Sequence, residues 1–125
     1  MRNKYHAIRV RKYDSKAEKE YADVLELLKR AGKIESYEHH PEPVVLMKAS
    51  DGKDITWKID FLITNKEKQY YVEVKGFKTA DFIIKLKMYR NLQIRLPLFV
   101  VKRYGDLRYK ITDTVDGDNR LNVLL

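Results

Sequence analysis

The sequence predicts an α/β domain with a mixed central β-sheet and flanking helices, and three observations predict it. Two segments carry an apolar stripe at helical spacing. Between them lie β-branched and aromatic runs whose apolar residues alternate, and after the second comes Leu98–Val101, apolar at every position. Alternation marks strands with one covered face, whereas an all-apolar run marks a strand covered on both. The order helix, three strands, helix, strand therefore implies a sheet with helices packed against it. With 125 residues, the chain is expected to form a single domain, residues 1–125. A chain of this length removes roughly two-thirds of its extended-chain surface from water.

Met1 to Asp14 interleaves Arg2, Lys4, Arg9, Arg11 and Lys12 with Tyr5, His6 and Tyr13. It reads as a basic arm or a short strand, able to neutralise phosphates and offer a ring for stacking. Ser15 opens the first helix, because Ser15-Lys16-Ala17-Glu18 has the capping-box spacing. Ala17, Tyr21, Val24, Leu25 and Leu28 form its apolar stripe, Lys29 and Arg30 suit its last turn, and Gly32 stops it. Ile34 to Glu38 reads as a short strand closed by Pro41 and Pro43. Val44 to Met47 extends again before the turn Ser50-Asp51-Gly52.

Asp54 to Leu62 reads as one strand, with Ile55, Trp57, Ile59 and Phe61 on one face and Asp60 on the other. After the polar turn Asn65-Lys66-Glu67-Lys68 comes Tyr70 to Lys75, where Val72 and Val74 share one face and Glu73 and Lys75 the opposite one. Gly76 ends this strand. Thr79 or Asp81 caps a second helix running to about Asn91, with Phe82, Ile83, Leu86 and Tyr89 buried. Pro97 leads into Leu98–Val101, and Leu107, Tyr109 and Ile111 alternate weakly beyond it.

Composition narrows the function classes. The chain has no cysteine, which excludes disulfides, thiolate zinc sites and cysteine nucleophiles. No run approaches the ~18 apolar residues of a membrane span. Arg2 and Lys4 precede no apolar core before Arg9, so a secretory signal is not expected and a cytoplasmic location is. The net charge of +8 is uneven: residues 1–12 carry five Lys/Arg and no acid, and residues 75–110 carry ten against two acids. Residues 13–74 hold ten bases and thirteen acids. Two basic blocks around an acidic centre suit a polyanion held while a metal works on it, although a solvated basic surface would have the same composition.

Paired as a hairpin, the two polar strand faces bring Asp60, Glu73 and Lys75 together. Two carboxylates match the number by which Mg²⁺ is usually held, and Lys75, about 6.6 Å further along its strand than Glu73, can reach a phosphate or a water. Phosphodiester hydrolysis needs such a metal to polarise the phosphoryl oxygen and lower the pKa of a bound water. The same residue types also occur as ordinary polar side chains on a solvated sheet face, where cross-strand pairs contribute a few tenths of a kcal/mol. A third carboxylate can come from the first helix, where Glu18 and Glu20 each lie about 80° from the apolar stripe, so periodicity leaves both open.

Ile59-Asp60-Phe61 followed by Val72-Glu73-Val74-Lys75-Gly76 resembles the core of the PD-(D/E)XK nuclease superfamily, with Ile59 in place of the proline. Asn3-Lys4-Tyr5, Asp14-Ser15-Lys16-Ala17-Glu18, Gly32-Lys33-Ile34, and Lys75-Gly76-Phe77-Lys78-Thr79 with Lys85 and Lys87 further resemble small phage and prophage nucleases of that superfamily. The resemblance runs from about Asn3 to Asn91. It implies a restriction-endonuclease-like core and a Mg²⁺-dependent DNA endonuclease, Mn²⁺ able to substitute, in a bacterial host. Glu18, Asp60 and Glu73 would hold metal with the Val74 carbonyl, and Lys75 would orient or activate the water. Arg2, Lys4, Arg9, Arg11, Lys78, Lys85 and Lys87 would hold phosphates. No base-reading motif is visible, so recognition of DNA structure is expected over sequence. The alternatives are a Holliday-junction or branched-DNA resolvase, which would act as a homodimer, and a catalytically silent DNA-binding module in recombination.

Of the remaining candidates, His39-His40 is not expected to bind one ion, because neighbouring side chains on a strand point to opposite faces. His40 is placed near the entrance to the site. Trp57 and the tyrosines are expected in the core and at its rim. Ser15 lacks a histidine base pattern, and Gly76 lacks a phosphate-loop context.

Overall fold

The structure, a computed structural model, describes residues 16–117. The basic arm with Arg2, Lys4, Arg9 and Arg11, and the Ser15 cap, lie outside the described residues. Helix α1 spans Lys16–Arg30. Gly32, at φ +77°, ends it as expected. Its N–H donates to the Lys29 carbonyl and that of Lys33 to the Leu28 carbonyl, so two carbonyls at the helix end are satisfied.

Five strands follow: β1 (Ser36–His39), β2 (Val44–Met47), β3 (Ile55–Trp57), β4 (Phe61–Asn65) and β5 (Lys68–Val74). Helix α2 spans Ala80–Arg90, and β6 (Leu98–Gly105) and β7 (Arg108–Val115) complete the order. Thr79, rather than Asp81, caps α2, its hydroxyl accepting from the Phe82 N–H at 3.1 Å. A five-stranded sheet runs β1-β4-β5-β6-β7, and β2 and β3 form a separate ribbon. Within the large sheet β5 and β6 are parallel and the other pairs antiparallel. The parallel pair follows from the chain crossing through α2 between them. The protein is thus mixed α/β, as the sequence predicts, and its described helices are too short and polar to cross a membrane.

Alternation along β5 and β6 divides the interior in two. Val72, Val74, Phe99 and Val101 pack with Tyr21, Ala22, Val24 and Leu25 of α1. Leu98 and Val100 point the other way and pack with Phe82, Leu86 and Tyr89 of α2 and with Leu46 and Trp57 of the ribbon. Leu98–Val101 is completely buried, as an all-apolar strand between two layers must be.

Two expectations need correction. Asp54–Leu62 is not one strand: β3 pairs with β2 in the ribbon, and β4 begins only at Phe61, between β1 and β5. The intervening Lys58–Asp60 leaves the extended ladder and turns the pleat over. Trp57 and Ile59 consequently join the α2 core while Phe61 joins the α1 core, and Ile55 is exposed. Ile83 is also exposed, because α2 buries the narrow stripe Phe82, Leu86, Tyr89. The weak alternation after Leu107 proves to be a full strand, β7, hydrogen-bonded along β6.

Leu25 is fully buried at the centre of the α1 contact. Leu25→Ala should destabilise the protein by about 2–5 kcal/mol, the usual cost of a lost core leucine. A urea midpoint unchanged from the parent would mean that α1 is not held by this packing.

Candidate functional site

The site forms where β4 and β5 run out of ladder. Phe61 pairs with Val72, so one step further brings Asp60 opposite Glu73. Instead of a backbone pair, each residue's carboxylate takes the other strand's amide. The Asp60 N–H donates to Glu73 Oε1 at 3.1 Å, and the Val74 N–H donates to Asp60 Oδ2 at 2.9 Å. Both acids are buried, with 5% and 4% of their surface exposed. Lys75 Nζ lies 3.3 Å from Glu73 Oε2 and 5.3 Å from the centre of the Phe82 ring. The Lys75 N–H donates to the Val101 carbonyl, so the lysine is anchored to β6 at its backbone.

These groups line an open cleft of about 510 Å³, together with Glu18, Lys58, Val74, Gly76, Asp81 and Lys85. Between the two acids that periodicity left tied, packing distinguishes their positions. Glu18 is buried at 1% exposure and lines the cleft. Glu20 lies on the other flank, 3.0 Å from Arg103 Nε, and accepts the Leu107 N–H at 2.9 Å. The Arg103 guanidinium holds the Glu20 carboxyl below its ordinary range.

Of the expected phosphate-binding lysines, Lys85 lines the cleft 3.5 Å from Asp81, and Lys78 lies 2.7 Å from Asp113. Lys87 is exposed on α2. Lys58 was not anticipated in the cleft, although it stands two residues from Asp60, the spacing that shares a strand face.

The histidines depart from the expected alternation of side chains. His39 Nε2 and His40 Nε2 lie 2.7 Å and 3.0 Å from the same oxygen, Glu18 Oε2. Their rings stack with centroids 3.8 Å apart. The strand rule fails because His40 has left β1: its φ is +56°, and its N–H donates to the Asp60 carbonyl. A left-handed residue does not alternate, and histidine is among the types that tolerate this region. The only hint in the sequence is Pro41, which ends the strand there.

Two buried carboxylates that repel each other resist ionisation. Burial pushes the Asp60 carboxyl up, and the charges of Glu73 and Glu18 add to it, against the Val74 N–H. Burial likewise pushes Glu73 up, with Lys75 and the Asp60 N–H opposing. Chemically this is a concentrated set of hard oxygen donors beside the Lys75 ammonium, and a divalent cation would relieve the repulsion.

The family model described as a protein of unknown function, DUF1064, matches residues 2–112. The chain belongs to the DUF1064 family. No curated protein matches it. The matched span takes in every element from α1 through most of β7, and with them the whole cleft.

The raised carboxyls make stability depend on pH in a definite sense. The folded chain holds these protons to higher pH than the unfolded chain does. The pair's stabilising contribution therefore falls as pH rises from about 4 into the raised range. Without metal, the protein should lose stability across that window. Asp60→Asn removes the carboxyl that burial keeps from ionising and should raise stability at about pH 8 by on the order of 1–3 kcal/mol relative to the parent, with little change at about pH 4. Denaturant titrations in chelator measure this, and identical pH slopes for parent and variant would contradict it.

Proposed function

We propose that the protein is a Mg²⁺-dependent DNA endonuclease with a restriction-endonuclease-like core. The observation that carries the reading is the meeting of Asp60, Glu73 and Lys75 at one diverging strand end, inside a cleft open to solvent. The element order supports it as well. Leaving aside the β2–β3 ribbon, the chain runs helix, three strands, helix, strand, with β7 added at the edge.

Asp60 and Glu73 supply oxygen donors of the kind Mg²⁺ takes, with the Val74 carbonyl and Glu18 within the same cleft. When bound, the ion would polarise the phosphoryl oxygen and acidify a water. Lys75, fixed at its backbone and resting on Phe82, would offer its ammonium to a scissile phosphate oxygen or an attacking water. Lys58 and Lys85 on the cleft wall offset the acids and would hold flanking phosphates, and the first turn of α2 adds the positive end of its dipole. Such contacts read the backbone and its shape, so selectivity for DNA structure is expected.

The purified protein should cut or nick DNA with Mg²⁺ or Mn²⁺ and be inert in EDTA. Asp60→Ala and Glu73→Ala should each lower cleavage by at least about 100-fold, of the order seen when one electrostatic catalytic group is removed. Wild-type cleavage by both variants would refute the assignment. A panel of linear duplex, flap and four-way junction substrates defines the structure cut, and selective symmetric cleavage of junctions by a dimer would mark a resolvase.

The two helix acids offer a sharper discrimination. Glu18→Gln should lose cleavage while Glu20→Gln, whose parent is tied to Arg103 away from the cleft, cuts normally. The reverse outcome would mean that Glu18 serves only to hold the histidines.

A further inference from the structure

We propose that Glu18, His39 and His40 form a binding site for a divalent transition-metal ion, chemically distinct from the all-oxygen pair Asp60–Glu73. One ligand atom from each of the three residues lies within 4.8 Å of the others. Around such an ion, with bonds of about 2.0–2.2 Å, neighbouring donors sit roughly 3.0–3.5 Å apart. The Glu18 contacts of 2.7 Å and 3.0 Å need to open by only a few tenths of an ångström to admit it. Two imidazole nitrogens and one carboxylate oxygen favour ions such as Zn²⁺, Mn²⁺, Fe²⁺ or Ni²⁺ over Mg²⁺ and Ca²⁺, which take oxygen.

The arrangement is built by the fold. Consecutive strand residues would diverge, and it is the left-handed backbone at His40 that turns its ring onto the same carboxylate as His39. Non-glycine residues in that region persist where their surroundings over-determine them, and such positions cluster at functional sites. Here the His40 N–H is held by the Asp60 carbonyl, and the His39 ring rests 5.0 Å from that of Phe61. Glu18 is almost wholly buried, whereas the His40 side chain is 42% exposed. The ion would thus meet a shielded anion on one side and keep water in its open positions on the other. Because Glu18 also lines the cleft, occupancy here would be felt there.

The proposal stands without nuclease activity, and calorimetry on the full chain tests it separately. Zn²⁺ is titrated in a background of excess Mg²⁺ into the parent, His39→Ala, His40→Ala, and the double variant Asp60→Asn/Glu73→Gln. One Zn²⁺ should bind per parent chain. Loss of even an outer partner of a metal ligand costs about 10–100-fold, so each histidine variant should bind at least about tenfold more weakly. The double variant should retain the parent affinity. Circular dichroism confirms folding, and should an alanine variant unfold, His39→Gln or His40→Gln takes its place under the same expectation. Unchanged Zn²⁺ affinity in both folded histidine variants would overturn the proposal. So would loss of Zn²⁺ in the double variant with retention in the histidine variants, which would place the ion at Asp60 and Glu73.

Discussion

The paired bonds by which the Asp60 amide reaches the Glu73 carboxyl and the Val74 amide reaches the Asp60 carboxyl are the interaction on which the rest of the site depends. A ladder that continued would have spent those amides on carbonyls and sent the two side chains out as ordinary polar groups. Because β4 and β5 part at this step, each amide instead points at a carboxylate. These bonds satisfy both amides and fix the rotamer of each acid. They also explain how two acidic side chains remain folded inward at 5% and 4% exposure. The cost is their mutual repulsion, which Lys75 offsets only in part.

Packing on the two faces of the sheet delivers the other groups to this point. Fully buried Tyr21 and Leu25 seat α1 on one face, which turns the first turn of the helix, and Glu18 with it, toward the strand ends. On the other face Phe82 and Leu86 seat α2 against Trp57 and Val100, and Phe82 becomes the surface on which Lys75 lies. The apolar cores therefore act as the alignment of a polar site that no local segment could assemble. A change in either core would reach the cleft through the position of a helix.

Much of this was legible in the sequence, and what was legible depended on periodicity. The stripe of α1, that of α2 apart from Ile83, the all-apolar start of β6 and the opposition of Asp60 to Glu73 each follow from a repeat that backbone geometry imposes, and Gly32 marks where the first stripe stops. The illegible parts are departures from a repeat. The pleat inversion at Lys58–Asp60 hid in an unbroken alternation, since Trp57, Ile59 and Phe61 are all buried, though in different cores. The choice of Glu18 as the acid that lines the cleft needed tertiary contact, because both acids sit equally far from the apolar stripe. His40 is the clearest instance, because a single positive φ reverses the direction of a side chain and nothing in its residue type demands it.

These departures lie close together, which is itself informative. The inversion ends at Asp60, the amide exchange begins there, and the left-handed His40 hangs its N–H on the Asp60 carbonyl. Asp60 thus spends its amide on Glu73, its carboxylate on Val74 and its carbonyl on His40, and three irregular segments share one residue as their fixed point. Sequences break local rules where function requires it and compensate elsewhere. In this chain the compensation is visible as flanking regularity: β4 pairs with β5 up to Phe61 and Val72, and β5 stays paired with β6 through Val74. Regular strands on one side and satisfied irregular backbone on the other are what hold buried carboxylates at fixed distances. A site that works by charge at close quarters requires that rigidity.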